Sequence, residues 1–180
     1  MKIYLVGSVA SGKTTLARRI SQITGIPCAH LDEVVYVEDP TDSWGNTKRP
    51  IEERDRLFQG LLAQKEYLME DAGRECFIEG MRQADQIVLL ETSYVTRRKR
   101  ILLRWFKQNL GIESCIYKPN LGILRAMFRW AKSYDRGTDG TKQRVAQFRE
   151  KVVVLHNNRE IEAYLKKLPH AGRAESCEPR

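Results

Sequence analysis

The chain has 180 residues, 42% of them apolar, and a formal charge of +8, enough for one well-buried domain with a small lid. No apolar stretch approaches a membrane span, and the N-terminal run is too short for a signal peptide. The four cysteines, Cys28, Cys76, Cys115 and Cys177, form no C-x-x-C pair, which leaves zinc and redox motifs unsupported and fits a reducing, cytoplasmic setting. The positive charge suits either nucleic acid or an enzyme that holds two polyanionic nucleotides.

KIYLV, residues 2–6, reads as a short buried strand. GSVASGKTT follows at 7–15 and fits G-x-x-x-x-G-K-[ST] from Gly7 to Thr14. Leu16, Ile20 and Ile23 then mark one face of an amphipathic helix that stops at Gly25. Strand, glycine loop and helix stand in the order a phosphate-binding loop requires. Gly7 and Gly12 allow close backbone approach. The loop through Ser8, Ala10, Ser11, Gly12, Lys13, Thr14 and Thr15 turns N–H groups and a helix N-terminus toward phosphate oxygens. Lys13 is expected at the β/γ-phosphates and the Thr14 hydroxyl on Mg²⁺. The loop therefore predicts a nucleoside triphosphate.

IPCAHL, 26–31, is a weaker strand that ends in HLDE. Asp32 is a candidate for the hydrated metal or for the phosphoryl acceptor; a helix N-cap is the alternative. Residues 41–50 read as a loop and 49–68 as a helix. ECFIEG, 75–80, reads as the third strand. At its end Glu79 is expected to hold a hydrated metal or activate a nucleophile. Gly80 would admit a substrate to the backbone, and Arg82 would clamp a phosphate. QIVLLE, 86–91, is the fourth strand.

Between Glu91 and Lys151 lies a long insertion that begins with a basic, amphipathic helix, TRRKRILLRWFKQ. One or two of Arg97, Arg100, Arg104 and Arg136 are expected over the transferred phosphoryl group. Arg100 and Arg136 are the catalytic candidates, and Arg104, one turn from Arg100, is a nucleotide contact. Trp130 and Tyr134 are expected to pack the insertion against the body. GTDGTKQ, 137–143, reads as a turn before a helix returning to the sheet. KVVVLHN, 151–157, is the last strand, with Asn157 placed to contact adenine, and 161–168 is a closing helix. Residues 1–168 thus form one domain with a lid at about 95–145, and 169–180 form a mobile tail. Strands alternating with helices predict an α/β fold with a parallel sheet of five strands and right-handed crossovers.

Several segments together carry a resemblance across nearly the whole chain. They are the loop at Gly7–Thr14, HLDE at 30–33, IEG at 78–80 and AD from Ala84 before an apolar strand. The basic helix with Arg100 and Arg104, W-x-x-x-Y at Trp130 and Tyr134, and the final VVVLHNNREIEAYL complete the series. In these the chain resembles the small adenylate kinase-related proteins known as DNA topology modulation proteins. The resemblance implies a P-loop NTPase core like that of nucleoside monophosphate kinases, with sheet order 2-3-1-4-5 and an arginine-bearing helical lid. It also implies ATP and Mg²⁺, and it names no acceptor. Proteins of this group often carry Asp, Pro and Arg after the fourth strand. Here Glu91, Ser93 and Tyr94 stand there, and the arginine is displaced to Arg97 or Arg98.

The function expected is transfer of the γ-phosphoryl group of ATP to a small acceptor, a nucleotide or nucleoside. A nucleotide-dependent DNA-binding regulator is the alternative, although no helix-turn-helix, zinc finger or RNP signature is present. A kinase of nucleic-acid ends would join the two.

Overall fold

The computed structural model describes residues 1–113 and 117–170. Cys115, Cys177 and most of the expected tail lie outside the described residues. In chain order the elements are β1 (Lys2–Gly7), α1 (Lys13–Thr24), β2 (Cys28–His30), α2 (Leu31–Val35), β3 (Tyr36–Glu38), β4 (Asn46–Lys48) and α3 (Ile51–Leu62). They continue with β5 (Tyr67–Asp71), α4 (Ile78–Gln83), β6 (Gln86–Leu90), α5 (Tyr94–Asn109), α6 (Leu121–Arg136), α7 (Thr141–Ala146), β7 (Val152–Leu155) and α8 (Asn158–Leu165).

Five strands form one parallel sheet in the order β2-β5-β1-β6-β7. Within its central strand, β1, Ile3, Tyr4, Leu5 and Val6 are fully buried because helices cover both faces. On one face Leu16, Ala17 and Ile20 of α1 meet Tyr164 and Leu165 of α8 over Leu5, Leu68 and Val88. On the other, Phe58 and Leu62 of α3 pack with Phe77, Met81 and Val145 over Tyr4, Met69 and Ile87. Each such side chain contributes about 1.5–3 kcal/mol when fully buried.

The third strand of the sheet is Tyr67–Asp71, and the expectation of a strand at 75–80 is overturned. Glu75–Phe77 form a 3-10 turn and Ile78–Gln83 a helix. Phe77 and Met81, four apart, share a helical face and are both fully buried. The helix expected over 49–68 ends at Leu62, which frees Tyr67 and Leu68 for the sheet. A second unexpected feature is the β3–β4 hairpin, whose second strand lies within the expected loop of residues 41–50.

The insertion folds as α5 and α6, each started by a side-chain cap: Ser93 accepts from Thr96 N and Asn120 from Ile123 N. Ile101, Ile123, Met127 and Ala131 form a third core, and Val9 and Ala10 of the phosphate loop pack into it. Trp130 and Trp44 lie 6.5 Å apart between ring centres, joining α6 to the hairpin loop. Lys118 reinforces this junction by donating to the Pro40 and Asp42 carbonyls at 2.7 and 2.8 Å. Tyr134 is buried beneath α5 and serves packing as expected, whereas Trp130 stays half-exposed beside Trp44.

Candidate functional site

All five strands of the sheet point their carboxyl ends the same way, and the loop after β1 opens there. A Cβ on Gly7 would sit 2.7 Å from the Leu90 carbonyl oxygen, so only glycine fits between β1 and β6. Gly12 adopts φ 105°, which lets the loop turn directly into α1. No side chain caps α1, so its first N–H groups remain available to an anion. Ala10 also takes a left-handed conformation, with φ 55°. Ser8 and Ser11 are buried, while Thr14 and Thr15 are exposed on the first turn of α1.

Lys13 folds back over this loop and donates to the Ser8 carbonyl at 2.9 Å. Enclosure lowers the affinity of its amine for a proton, and the nearby Glu70, Asp32 and Asp71 carboxylates oppose that shift. The Thr14 hydroxyl donates to Glu70 Oε1 at 3.1 Å. Glu70 stands near the end of β5, directly across from His30 of β2, whose Nδ1 lies 2.7 Å from its second carboxylate oxygen. Contacts with Cys28 and Glu70 raise the His30 pKa to about 10. A hydroxyl beside a strand-end carboxylate is a hard oxygen donor set and fits Mg²⁺.

Asp32 lies beyond the end of β2, in the first turn of α2. Its carboxylate takes the guanidinium of Arg74, from the loop after β5, and Arg74 also binds Asp71. Asp71 is fully enclosed and accepts further bonds from the Tyr4 hydroxyl at 3.2 Å and Gly73 N at 2.7 Å. Glu70, Asp71 and Arg74 were missed as site residues because the expected helix over 49–68 took the first two residues of their strand and the third strand was expected at 75–80. The usable signal was two acids closing a short apolar run, Tyr67-Leu68-Met69, at the end of a strand.

Arg97 and Arg100 bring α5 onto the loop. Arg97 is only 1% exposed, and its guanidinium donates to Ser8 Oγ at 2.7 Å and to the Thr92 carbonyl at 2.9 Å. It also pairs with Asp135 of α6 and lies against the Tyr94 and Tyr134 rings. Arg100 donates to the Ser11 carbonyl at 2.6 Å, and its guanidinium nitrogen would be 3.2 Å from a Cβ on Gly12. Arg104 instead pairs with Glu113 at 3.3 Å, and Arg136 is exposed at the end of α6. Asn157 is occupied as the cap of α8, accepting from Glu160 N at 3.1 Å.

The structure separates Glu79, Gly80 and Arg82 from this site and corrects their expected roles. They belong to α4, which leads down to the first residues of β6. The Tyr67 hydroxyl, at the opposite end of the sheet from the loop, donates to the Gly80 carbonyl at 2.8 Å. A Cβ on Gly80 would lie 2.8 Å from the Tyr4 ring, so this glycine serves core packing. Glu79 and Arg82 pair with one another at 3.0 Å on the surface.

No helix among the described residues is long and apolar enough to cross a membrane. No family model matches the chain. No curated protein matches it. Solved structures do. An unliganded sugar kinase from Janibacter superposes with a TM-score of 0.54 at 16% identity, with 92% of each chain covered. A deoxyadenosine kinase from M. mycoides with bound dATP gives 0.53 at 15% identity, covering 93% of this chain and 98% of that one. A shikimate kinase from Bacteroides thetaiotaomicron gives 0.51 at 14% identity, covering 92% and 94%. At these identities the likeness is one of fold alone.

Proposed function

We propose that the chain is an ATP- and Mg²⁺-dependent phosphotransferase that moves the γ-phosphoryl group to a small acceptor. One observation carries this reading: the Thr14 hydroxyl of the phosphate loop meets the Glu70 carboxylate at the end of the neighbouring strand. That pairing of loop hydroxyl and strand-end acid is what a metal-bound triphosphate requires. Thr14 would ligate Mg²⁺ and Glu70 would hold its hydration shell. The metal, when bound, neutralises charge on the β- and γ-phosphate oxygens. Lys13 exchanges the Ser8 carbonyl for phosphate oxygens, and Arg100 stabilises charge on the transferring group. Arg97 positions Ser8 and anchors the insertion. Asp32 orients the acceptor. Residues 95–145 act as the lid, resting on the loop through Val9 and Ala10.

The kinases of like fold support the reaction class, and the sequence resemblance to DNA topology modulation proteins supports the same core. A second reading, with DNA as acceptor or effector, draws on the exposed Arg98, Lys99, Lys107, Arg125 and Arg129 of α5 and α6. It requires binding that weakens steeply with salt. The deciding experiment is γ-phosphoryl transfer from Mg-ATP across nucleosides, nucleotides, sugars and DNA ends, with Lys13→Ala as control. Transfer to a small acceptor that the control lacks supports the first reading. Intact ATP binding with no transfer to anything defeats it.

A further inference from the structure

The acceptor side of the cleft carries a charge pattern that selects substrates. Four carboxylates, Asp32, Glu33, Glu70 and Asp71, lie at or just beyond the ends of β2 and β5. Glu70 is matched by His30 and Asp71 by Arg74. Asp32 shares that same Arg74, and the carboxylates of Asp32 and Glu33 both stand at the surface.

Arg74 is not free to serve as a phosphate clamp. Turning it toward a new anion would strip its cation from Asp71, whose side chain has no exposure to water. A buried carboxylate left unpaired is strongly unfavourable. Two further arginines of this half are paired as well, though with carboxylates at the surface. Arg49 pairs with Glu53 at 2.5 Å, and Arg54 with Asp55 at 2.6 Å. The cations of the insertion that reach the loop, Arg97 and Arg100, serve the donor half.

We infer that the acceptor is an uncharged or cationic hydroxyl compound, of nucleoside or sugar type, and that phosphorylated acceptors such as nucleoside monophosphates are rejected. This rests on the phosphotransfer reading and narrows it. A neutral hydroxyl donates to the Asp32 carboxylate. As its oxygen forms the new bond to the γ-phosphorus, the bond from that phosphorus to the β–γ bridging oxygen breaks and ADP leaves. The hydroxyl proton passes to Asp32. A phosphate group in the same place would face the exposed Asp32 and Glu33 carboxylates, with Arg74 held by the buried Asp71, and like charges brought together this way discriminate strongly.

The test pairs each parent compound with its monophosphate: nucleosides against nucleoside monophosphates, and hexoses against hexose phosphates. kcat/KM is measured with Mg-ATP. At least one parent is expected to exceed its monophosphate by about 100-fold or more. Glu33→Lys is expected to narrow that ratio by about tenfold. Equal or better turnover of the monophosphate overturns the inference while leaving phosphotransfer intact. If neither panel turns over, phosphotransfer fails, and equilibrium binding with a non-hydrolysable ATP analogue decides the charge question. Tighter binding of the parent upholds selection. Tighter binding of the monophosphate, or binding of neither, ends it.

Discussion

The carboxyl end of the sheet has two halves of opposite character. Beyond β1 and β6 the cations Lys13 and Arg100 touch neutral carbonyl oxygens, those of Ser8 and Ser11. Beyond β2 and β5 the cation Arg74 is tied to two carboxylates. The difference teaches that the partner, more than the cation, decides availability. A bond to a backbone carbonyl is exchanged for a phosphate oxygen with net gain, because an ionic partner is the stronger one. A bond to a buried carboxylate is not exchanged. Arg97 sits on the boundary, sharing a hydroxyl of the loop with a carboxylate of α6.

The sharpest way to break this comparison is Lys13→Ala. Turnover followed by ADP release is expected to fall about 10²–10³-fold, the cost of losing one preorganised charge donor. A fall below tenfold would remove Lys13 from the donor half. Arg97→Ala is next. It leaves the buried end of Ser8 and the Asp135 carboxylate without their donor, and denaturant unfolding is expected to show a loss of about 1.5–3 kcal/mol. Unchanged stability would mean that Arg97 is free for substrate.

Glu70→Gln keeps the size of the side chain and removes its charge. The Mg²⁺ titration of turnover is expected to shift about 10–100-fold to higher concentration, as for other outer partners of a metal. An unshifted titration would take Glu70 out of the metal site. Gly80→Ala tests whether α4 lies outside chemistry altogether. The added Cβ presses on the Tyr4 ring, so stability is expected to drop by about 1–3 kcal/mol. Activity per folded molecule is expected to stay constant, and an increased acceptor KM would return Gly80 to the site. The smallest effect belongs to Arg19→Ala. Its exposed pair with Glu162 joins α1 to α8, and the melting temperature is expected to stay essentially unchanged.

How much of this was readable in advance follows from chemistry at single positions. The phosphate loop was legible because its glycines, lysine and threonine each have one purpose at fixed spacing. Strands β1, β6 and β7 announced themselves as continuous apolar runs, as strands buried on both faces do. β5 did not. Gln64-Lys65-Glu66 separates it from α3 with no Gly or Pro, so Tyr67 and Leu68 continued the helical pattern of Phe58 and Leu62. Phe77 and Ile78 then supplied a more convincing apolar run, although their partner is Met81 one turn away. With the strand looked for too far along the chain, the acid expected near its end was displaced too, from Glu70 to Glu79. The β3–β4 hairpin was invisible because Asn46-Thr47-Lys48 has no apolar face. Arg97 was noticed as a basic residue, but the Asp135 that fixes it lies on another helix, beyond the reach of local pattern.

The Trp44–Trp130 contact and the Lys118 bonds have a thermodynamic meaning of their own. They fasten the hairpin loop to the helix whose core also takes in Val9 and Ala10. Work done in moving one is then shared by the other. Two ligands that bias such a joined element are energetically linked, and each must change the other's affinity by the same factor.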